Sequence, residues 1–218
     1  MLLLVVRSGV QKLLFYACSL SASALIYGCT ICSCQKVPCP GFHDTEFINW
    51  FPYESASTLV FTNGQVQDTL SLPGYEKSGD YEATKGCLNG STGCSSYATL
   101  TADERTNNGM LKFRVEVNEL TKFGSSSSSR MIYLTWHDFN LSYASLGPEG
   151  LLPDTAQHMT TRFYPSLSLG GNTFTSVQEI HRDTLSSKTS GIYKIYISKF
   201  KGLIGYEEYP SLTTFTLQ

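Results

Sequence analysis

Between Asn107-Asn108-Gly109 and Gly124 the chain alternates apolar and polar residues. Leu111, Phe113, Val115 and Val117 fall on one parity; Lys112, Arg114, Glu116 and Asn118 fall on the other. A period of two puts the first set on one face of a strand and the second on the opposite face, whereas a helix would scatter both around its circumference. Met110 to Leu120 is therefore predicted as a half-buried β-strand. Such a strand needs partners along both edges and a second layer over its apolar face.

The rest of the chain supplies those partners. Leu59-Val60-Phe61-Thr62 and Gln65 to Leu72 flank Asn63-Gly64, a pair that accepts the positive φ of a hairpin turn. Val66, Asp68, Leu70 and Leu72 would share the face of the second arm. Tyr97 to Thr101 is a short strand candidate, and the serines from Ser125 to Ser129 form a loop. Arg130 to Tyr143 reads as one strand, with Ile132, Leu134 and Trp136 against Met131, Tyr133 and Thr135; both faces are largely apolar, which suits a central position. Residues 144–161 read as irregular because of Gly147-Pro148, Gly150 and Pro153. Arg162 to Leu169 and Thr173 to His181 form a second hairpin around Gly170-Gly171-Asn172. Ile192 to Phe200, Leu203 to Tyr209 and Thr213 to Leu217 close the series.

With 13 Tyr and 12 Phe but few charges, this is a strand-and-turn composition. The expected fold is all-β: a single antiparallel domain, a curved sheet or barrel-like, with a two-sheet β-sandwich as the alternative, after an N-terminal signal helix. The formal net charge of −2 argues against nucleic acid as a partner, which would need basic patches.

The N-terminal signal is the stretch Leu13 to Cys34, uncharged and preceded by Arg7 and Lys12. A basic start, an apolar core and small residues at its end define an export signal. At about 20 residues the core could also span a bilayer as an uncleaved anchor. Ile31-Cys32-Ser33-Cys34 resembles a bacterial lipobox, with an aliphatic residue three before the cysteine and a small one directly before it. Cys34 is thus the expected lipid-attachment residue, with Cys29 as the alternative. The domain reading follows: 1–33 lipoprotein signal peptide, 34–56 lipidated cysteine and tether or entry segment, 57–218 antiparallel β domain. Phe42, Phe47, Trp50, Phe51 and Tyr53 in the entry segment are expected to seal one end of the core.

Beyond the signal, three cysteines remain: Cys39, Cys87 and Cys94. Cys87 and Cys94 bracket a short Gly-containing loop and form the expected disulfide; Cys39 could instead pair with either, since spacing does not settle connectivity. No His lies near them at zinc-ligand spacing, so no metal is expected there. His43, His137, His158 and His181 show no metal or catalytic spacing, and no Gly-x-Ser-x-Gly elbow or phosphate-cradling loop occurs, so no catalytic residue or cofactor is assigned. Glu179, Asp183, Glu207 and Glu208 are available carboxylates, but glycoside hydrolysis needs two facing across a cleft, and nothing in the sequence pairs them. Tyr193, Tyr196, Tyr206 and Tyr209 read as core and sheet surface, or as a binding face for sugar or lipid.

Four stretches carry a resemblance. Val37-Pro38-Cys39-Pro40-Gly41-Phe42, Asn49-Trp50-Phe51-Pro52-Tyr53, Leu59-Val60-Phe61-Thr62-Asn63-Gly64 and the run Ile192 to Glu207, with its Lys199-Phe200-Lys201-Gly202-Leu203-Ile204 turn, resemble small β-domain envelope lipoproteins of Bacteroidetes-type bacteria. The resemblance implies a lipid-anchored protein of the cell envelope, at the outer membrane, with no assigned activity. In that group acidic residues after the lipid cysteine direct surface display; here Gln35-Lys36-Val37 follows, which leaves the leaflet open. The expected function is a binding or structural accessory module taking an apolar or glycan ligand or a protein partner. The alternative is a hydrolase acting on envelope or dietary polymers.

Overall fold

The computed structural model describes residues 35–86, 93–106, 109–124, 128–147, 149–154, 158–182 and 191–218. The signal segment 1–33, both lipid-attachment candidates Cys29 and Cys34, Cys87 and Asp183 lie outside the described residues.

Fifteen strands and one short helix are described: β1 (Gln35–Pro38), α1 (Thr45–Trp50), β2 (Ser57–Thr62), β3 (Gln67–Leu72), β4 (Glu76–Gly79), β5 (Glu82–Lys85), β6 (Gly93–Thr106), β7 (Gly109–Lys122), β8 (Ser128–Trp136), β9 (Phe139–Gly147), β10 (Gly150–Leu152), β11 (Met159–Leu169), β12 (Asn172–Arg182), β13 (Gly191–Ser198), β14 (Gly202–Tyr209) and β15 (Thr213–Leu217). The all-β, antiparallel expectation holds. One large sheet runs β10-β9-β8-β7-β6-β3-β2-β15-β14-β13-β12-β11, with β4 also paired to β6 and a separate β1–β5 ribbon.

The sheet curls over itself without closing into a hydrogen-bonded barrel. Ladders are long inside each half and short between them: Leu70↔Glu104 alone joins β3 to β6, and Thr216↔Thr62 with Leu217↔Phe61 joins β15 to β2. The two halves face each other through the core. Trp136 of β8 sits with its ring centroid 4.6 Å from Tyr206 of β14, 5.6 Å from Phe61 of β2 and 5.9 Å from Phe113 of β7. Phe113, Val115 and Val117 of β7 are fully buried, as their alternation predicts. Burial of each such side chain stabilises by about 1.5–3 kcal/mol. Arg182 of β12 reaches across the halves to the β8–β9 turn, lying over the Phe139 ring and donating to Asp138.

The ends of the sheet meet at a side chain. Gln178 of β12, buried at 3 % exposure, turns its amide toward β10: Leu151 N–H donates to Gln178 Oε1 (2.7 Å), and Gln178 Nε2 donates to the Leu151 carbonyl. One amide thus does for β10 what a neighbouring strand would do. Gly150, at φ +113°, has Gln178 packed where a Cβ would stand, so this close approach requires glycine.

Several local expectations change. The stretch Arg130 to Tyr143 is two strands, β8 and β9, turning at His137-Asp138 with His137 at φ +53°. Inward residues switch parity from Ile132, Leu134 and Trp136 to Phe139 and Leu141, which no unbroken strand can accommodate. The irregular region is smaller than expected, because β9 runs to Gly147 and pairs with β10. Tyr97–Thr101 is the middle of the longer β6. In the first hairpin Gly64 alone takes positive φ; Asn63 Oδ1 accepts N–H donors from Gln65 and Val66, and Val66 lies in the loop, 53 % exposed, rather than on the apolar face. The β11–β12 hairpin turns at Gly170-Gly171 as expected, both at positive φ. It bends where Pro165 meets Ser176 (φ +50°), and its tip packs Leu167, Leu169 and Phe174 against Val177, Tyr196 and Ile204 on the outer face of the sheet.

The entry segment belongs to the core. Asp44 caps α1 by accepting the Phe47 N–H (3.0 Å), and Arg130 Nε lies 2.7 Å from its other oxygen. Phe42, Phe47, Trp50, Phe51 and Tyr53 are buried and seal one end, as expected. The disulfide expectation is corrected: Cys94 bonds to Cys39, with Cα atoms 5.5 Å apart. The β1–β5 ladder, continued by Cys39 N–H donating to the Tyr81 carbonyl (3.1 Å), lays the entry strand beside the start of β6. Pairing across the strands outweighs nearness in sequence.

Candidate functional site

The outer face of β6–β9 carries the exposed aromatic side chains that a binding surface needs. Register puts Tyr97, Asn118 and Met131 in one row and Thr99, Glu116 and Tyr133 in the next. Between Ile132 and Leu134 the β8–β9 ladder shifts, and Tyr143 sits in the resulting bulge at φ +57°. A bulge re-aims a side chain. A non-glycine residue held at positive φ costs on the order of 1–3 kcal/mol, which packing elsewhere must offset. Here it turns Tyr143 outward beside Tyr133, ring centroids 5.2 Å apart and edge to face. Tyr143 is 61 % exposed, Met131 46 % and Tyr97 42 %.

A polar row runs beside the rings. Arg114 Nη2 donates to Glu116 Oε2, and Asn118 Nδ2 donates to Glu116 Oε1 (3.0 Å). Two strands away, Ser142 Oγ donates to Asn140 Oδ1 (2.9 Å), both on β9. The Tyr133 phenol is pushed above its usual range, by loss of water first and then by Tyr143 and the Glu116 carboxylate. The central position expected of this stretch holds for β8, which pairs with β7 and β9, but its second parity, Met131, Tyr133 and Thr135, is not buried. The signal for an exposed face was available: three strands in a row put tyrosine, amide and hydroxyl side chains on the parity opposite the core.

The tyrosines singled out from sequence have other roles. Tyr206 lies in the core, stacked on Phe215 at 4.7 Å and donating to Asp68. Tyr193 and Tyr196 are buried, and both donate to Glu207, which also faces Lys194 Nζ at 3.2 Å. Glu179 accepts from Tyr164 (3.1 Å) and lies 3.4 Å from His181 Nδ1. Both phenols are raised, by burial first and then by the Glu207 hydrogen bond. Burial alone would raise the Glu207 carboxyl too, but the hydrogen bonds from Tyr193 and Tyr196 and the Lys194 charge outweigh it and hold the carboxyl below 4.5.

A carboxyl depressed in the folded state adds stability above its unfolded pKa, and that stability is lost as pH falls through the folded value. Stability should therefore fall on acidification below about pH 4.5. Glu207→Gln should be less stable at pH 7 yet show a shallower acid limb. Urea midpoints measured at pH 7, 5, 4 and 3 check this; parallel acid limbs would remove Glu207 from the effect.

The histidines are dispersed. His137 lies against the Trp136 ring, His181 contacts Thr160, and His43 lines a cleft of about 320 Å³ beside α1 together with Asp44, Glu54 and Lys77. A neighbouring cleft of about 300 Å³ adjoins Cys39 and Tyr81. A third, about 510 Å³, opens between Asn63-Gly64, the β11–β12 tip and β15, and its described lining is uncharged. Glu179 and Glu207 line none of these three. Among the described residues no three His, Cys, Asp or Glu side chains gather as a metal site. No helix among them is long and apolar enough to cross a membrane. No protein family, curated protein or solved structure matches this chain.

Proposed function

We propose that the chain is a lipid-anchored protein of the bacterial cell envelope, at the outer membrane, that works as a binding or accessory module through the face of β6–β9. The observation that carries this reading is the Cys39–Cys94 disulfide. Disulfides persist in oxidising, extracytoplasmic compartments, and this one lies a few residues beyond the lipobox-like Cys34. It clamps the entry strand to the sheet at the point where an anchored chain would be pulled. β1 begins at Gln35, directly after Cys34, so an acylated Cys34 would hold the domain near the bilayer with the β1–β5 end toward it. Binding is favoured over hydrolysis because the exposed tyrosines and the polar row form one open surface, while Glu179 and Glu207 are engaged by phenols.

Intact-mass analysis of the protein from a Bacteroidetes-type host tests the anchor. The expected result is cleavage before Cys34 with added acyl mass, abolished in Cys34→Ala. Acyl mass on Cys29 would move the anchor. An unmodified mass with Leu13–Cys34 retained would overturn the lipoprotein reading.

A further inference from the structure

We infer that the outer face of β6–β9 is a site for a neutral polysaccharide, its sugar rings stacking on Tyr97 and the Tyr133–Tyr143 pair. The inference rests on the binding-module reading above and names the ligand of the same face.

Charge decides among ligand classes. Three charged side chains are described beside the rings: Arg114 and Glu116, paired with each other, and the exposed Glu76 of β4, in register with Thr99. The described part of this face thus has no surplus cation, which disfavours nucleic acids, acidic glycans and anionic lipid surfaces, all of which need uncompensated cations. The remaining groups are phenols, amides and hydroxyls. A pyranose offers an apolar C–H face and a rim of hydroxyls; rings take the first and amides the second.

Geometry decides against the other neutral partners. Tyr97 and the Tyr133–Tyr143 pair stand on β6 and β8–β9 with the polar row of β7 between them. β6 and β9 are three strand spacings apart, roughly 14 Å. Rings interleaved with polar groups make a poor protein interface, whose centre is a contiguous apolar patch. They suit an extended oligosaccharide, which meets a ring and then a hydrogen-bonding group along its length. An apolar ligand would require a concavity, and among the described residues Tyr97, Tyr133 and Tyr143 line none of the three clefts above.

Pre-organisation adds to the case. The bulge sets Tyr143 against Tyr133 before any ligand arrives, and the Arg114–Glu116–Asn118 row is already hydrogen-bonded. Rings and amides held in place lose less freedom on binding than free ones.

The test is calorimetric titration of the full chain in detergent with neutral hexasaccharides of β-1,4-glucan, α-1,4-glucan, β-1,4-xylan and β-1,4-mannan, and with hexagalacturonate as the anionic comparison. At least one neutral hexamer should bind, hexagalacturonate should not, and Tyr143→Gly should weaken binding at least about tenfold. Glycine accepts φ +57° without strain, so this variant removes the ring and keeps the fold; an unchanged melting temperature verifies that. Failure of all four neutral hexamers, preference for the anionic one, equal binding by Tyr143→Gly, or capture only of a protein by a photo-crosslinker at position 143 would each overturn the inference. Acylation at Cys34 is read separately. Acylated protein that binds no neutral glycan sinks the ligand alone, and glycan binding without acylation sinks the anchor alone.

Discussion

Trp136→Ala is expected to cost the domain about 3–5 kcal/mol, the range for emptying a large buried aromatic site. The residue is fully buried and stands where the two halves of the sheet meet, against Phe61, Phe113 and Tyr206. Those partners come from three strands of one curled sheet, so collapse around the missing indole would require shifting several ladders together. The cost therefore belongs at the high end, comparable to much of the stability of a single domain. Guanidinium midpoints followed by far-UV circular dichroism measure it. Val66→Ala, in the exposed β2–β3 loop, is the comparison and should move the midpoint little. Equal shifts for the two variants would mean that the halves are not held together through Trp136.

The second large effect concerns the covalent link. Cys39 and Cys94 are 55 residues apart in sequence. Closing a loop of that length removes about 4 kcal/mol of unfolded-state entropy in the chain-entropy account. Cys39→Ala and Cys94→Ala should each lower stability by roughly 2–4 kcal/mol, and either should abolish the sensitivity of the unfolding midpoint to a reductant. Cys87→Ala should leave both midpoint and reductant response unchanged. A Cys87→Ala protein that no longer responds to reductant would show that Cys87, and not Cys39, is the partner of Cys94.

Much of the fold is legible in the sequence because its information is local. The alternation of β7 reports a half-buried strand directly, and Gly170-Gly171 marks the β11–β12 turn, since positive φ at two successive positions suits glycine. The aromatic-rich entry segment is equally clear, since five large rings close together have nowhere but a core to go. What escaped depends on contacts distant in sequence. The disulfide is decided by β1 lying on β5 and β5 leading into β6, which the spacing of Cys87 and Cys94 cannot report. The break at His137-Asp138 is present in the sequence as a change of parity, which the general apolarity of the stretch hides.

The candidate site is less legible for a different reason. A tyrosine on the outer parity of a strand reads alike whether it faces water or another layer. The bulge that turns Tyr143 outward arises from how β8 and β9 settle their inward residues, Ile132 against Ala144 and Leu134 against Leu141, and no motif marks it. Tyr196 and Tyr206 illustrate the converse: offered by the sequence as a binding face, they are buried because the hairpin tip takes the first and the core the second, and Tyr193, also buried, donates to Glu207.

The Gln178 seam has a consequence for how this architecture tolerates change. In a closed barrel the strand number, the stagger and the tilt are bound together, so lengthening one strand re-registers the whole circle. Here the circle is interrupted, and a single amide spans the gap between β12 and β10. The segment from β10 to β11 can therefore gain or lose residues as a selvedge does, while the ladders from β9 round to β12 keep their register. Along this seam, a change of length disturbs no backbone ladder between described strands.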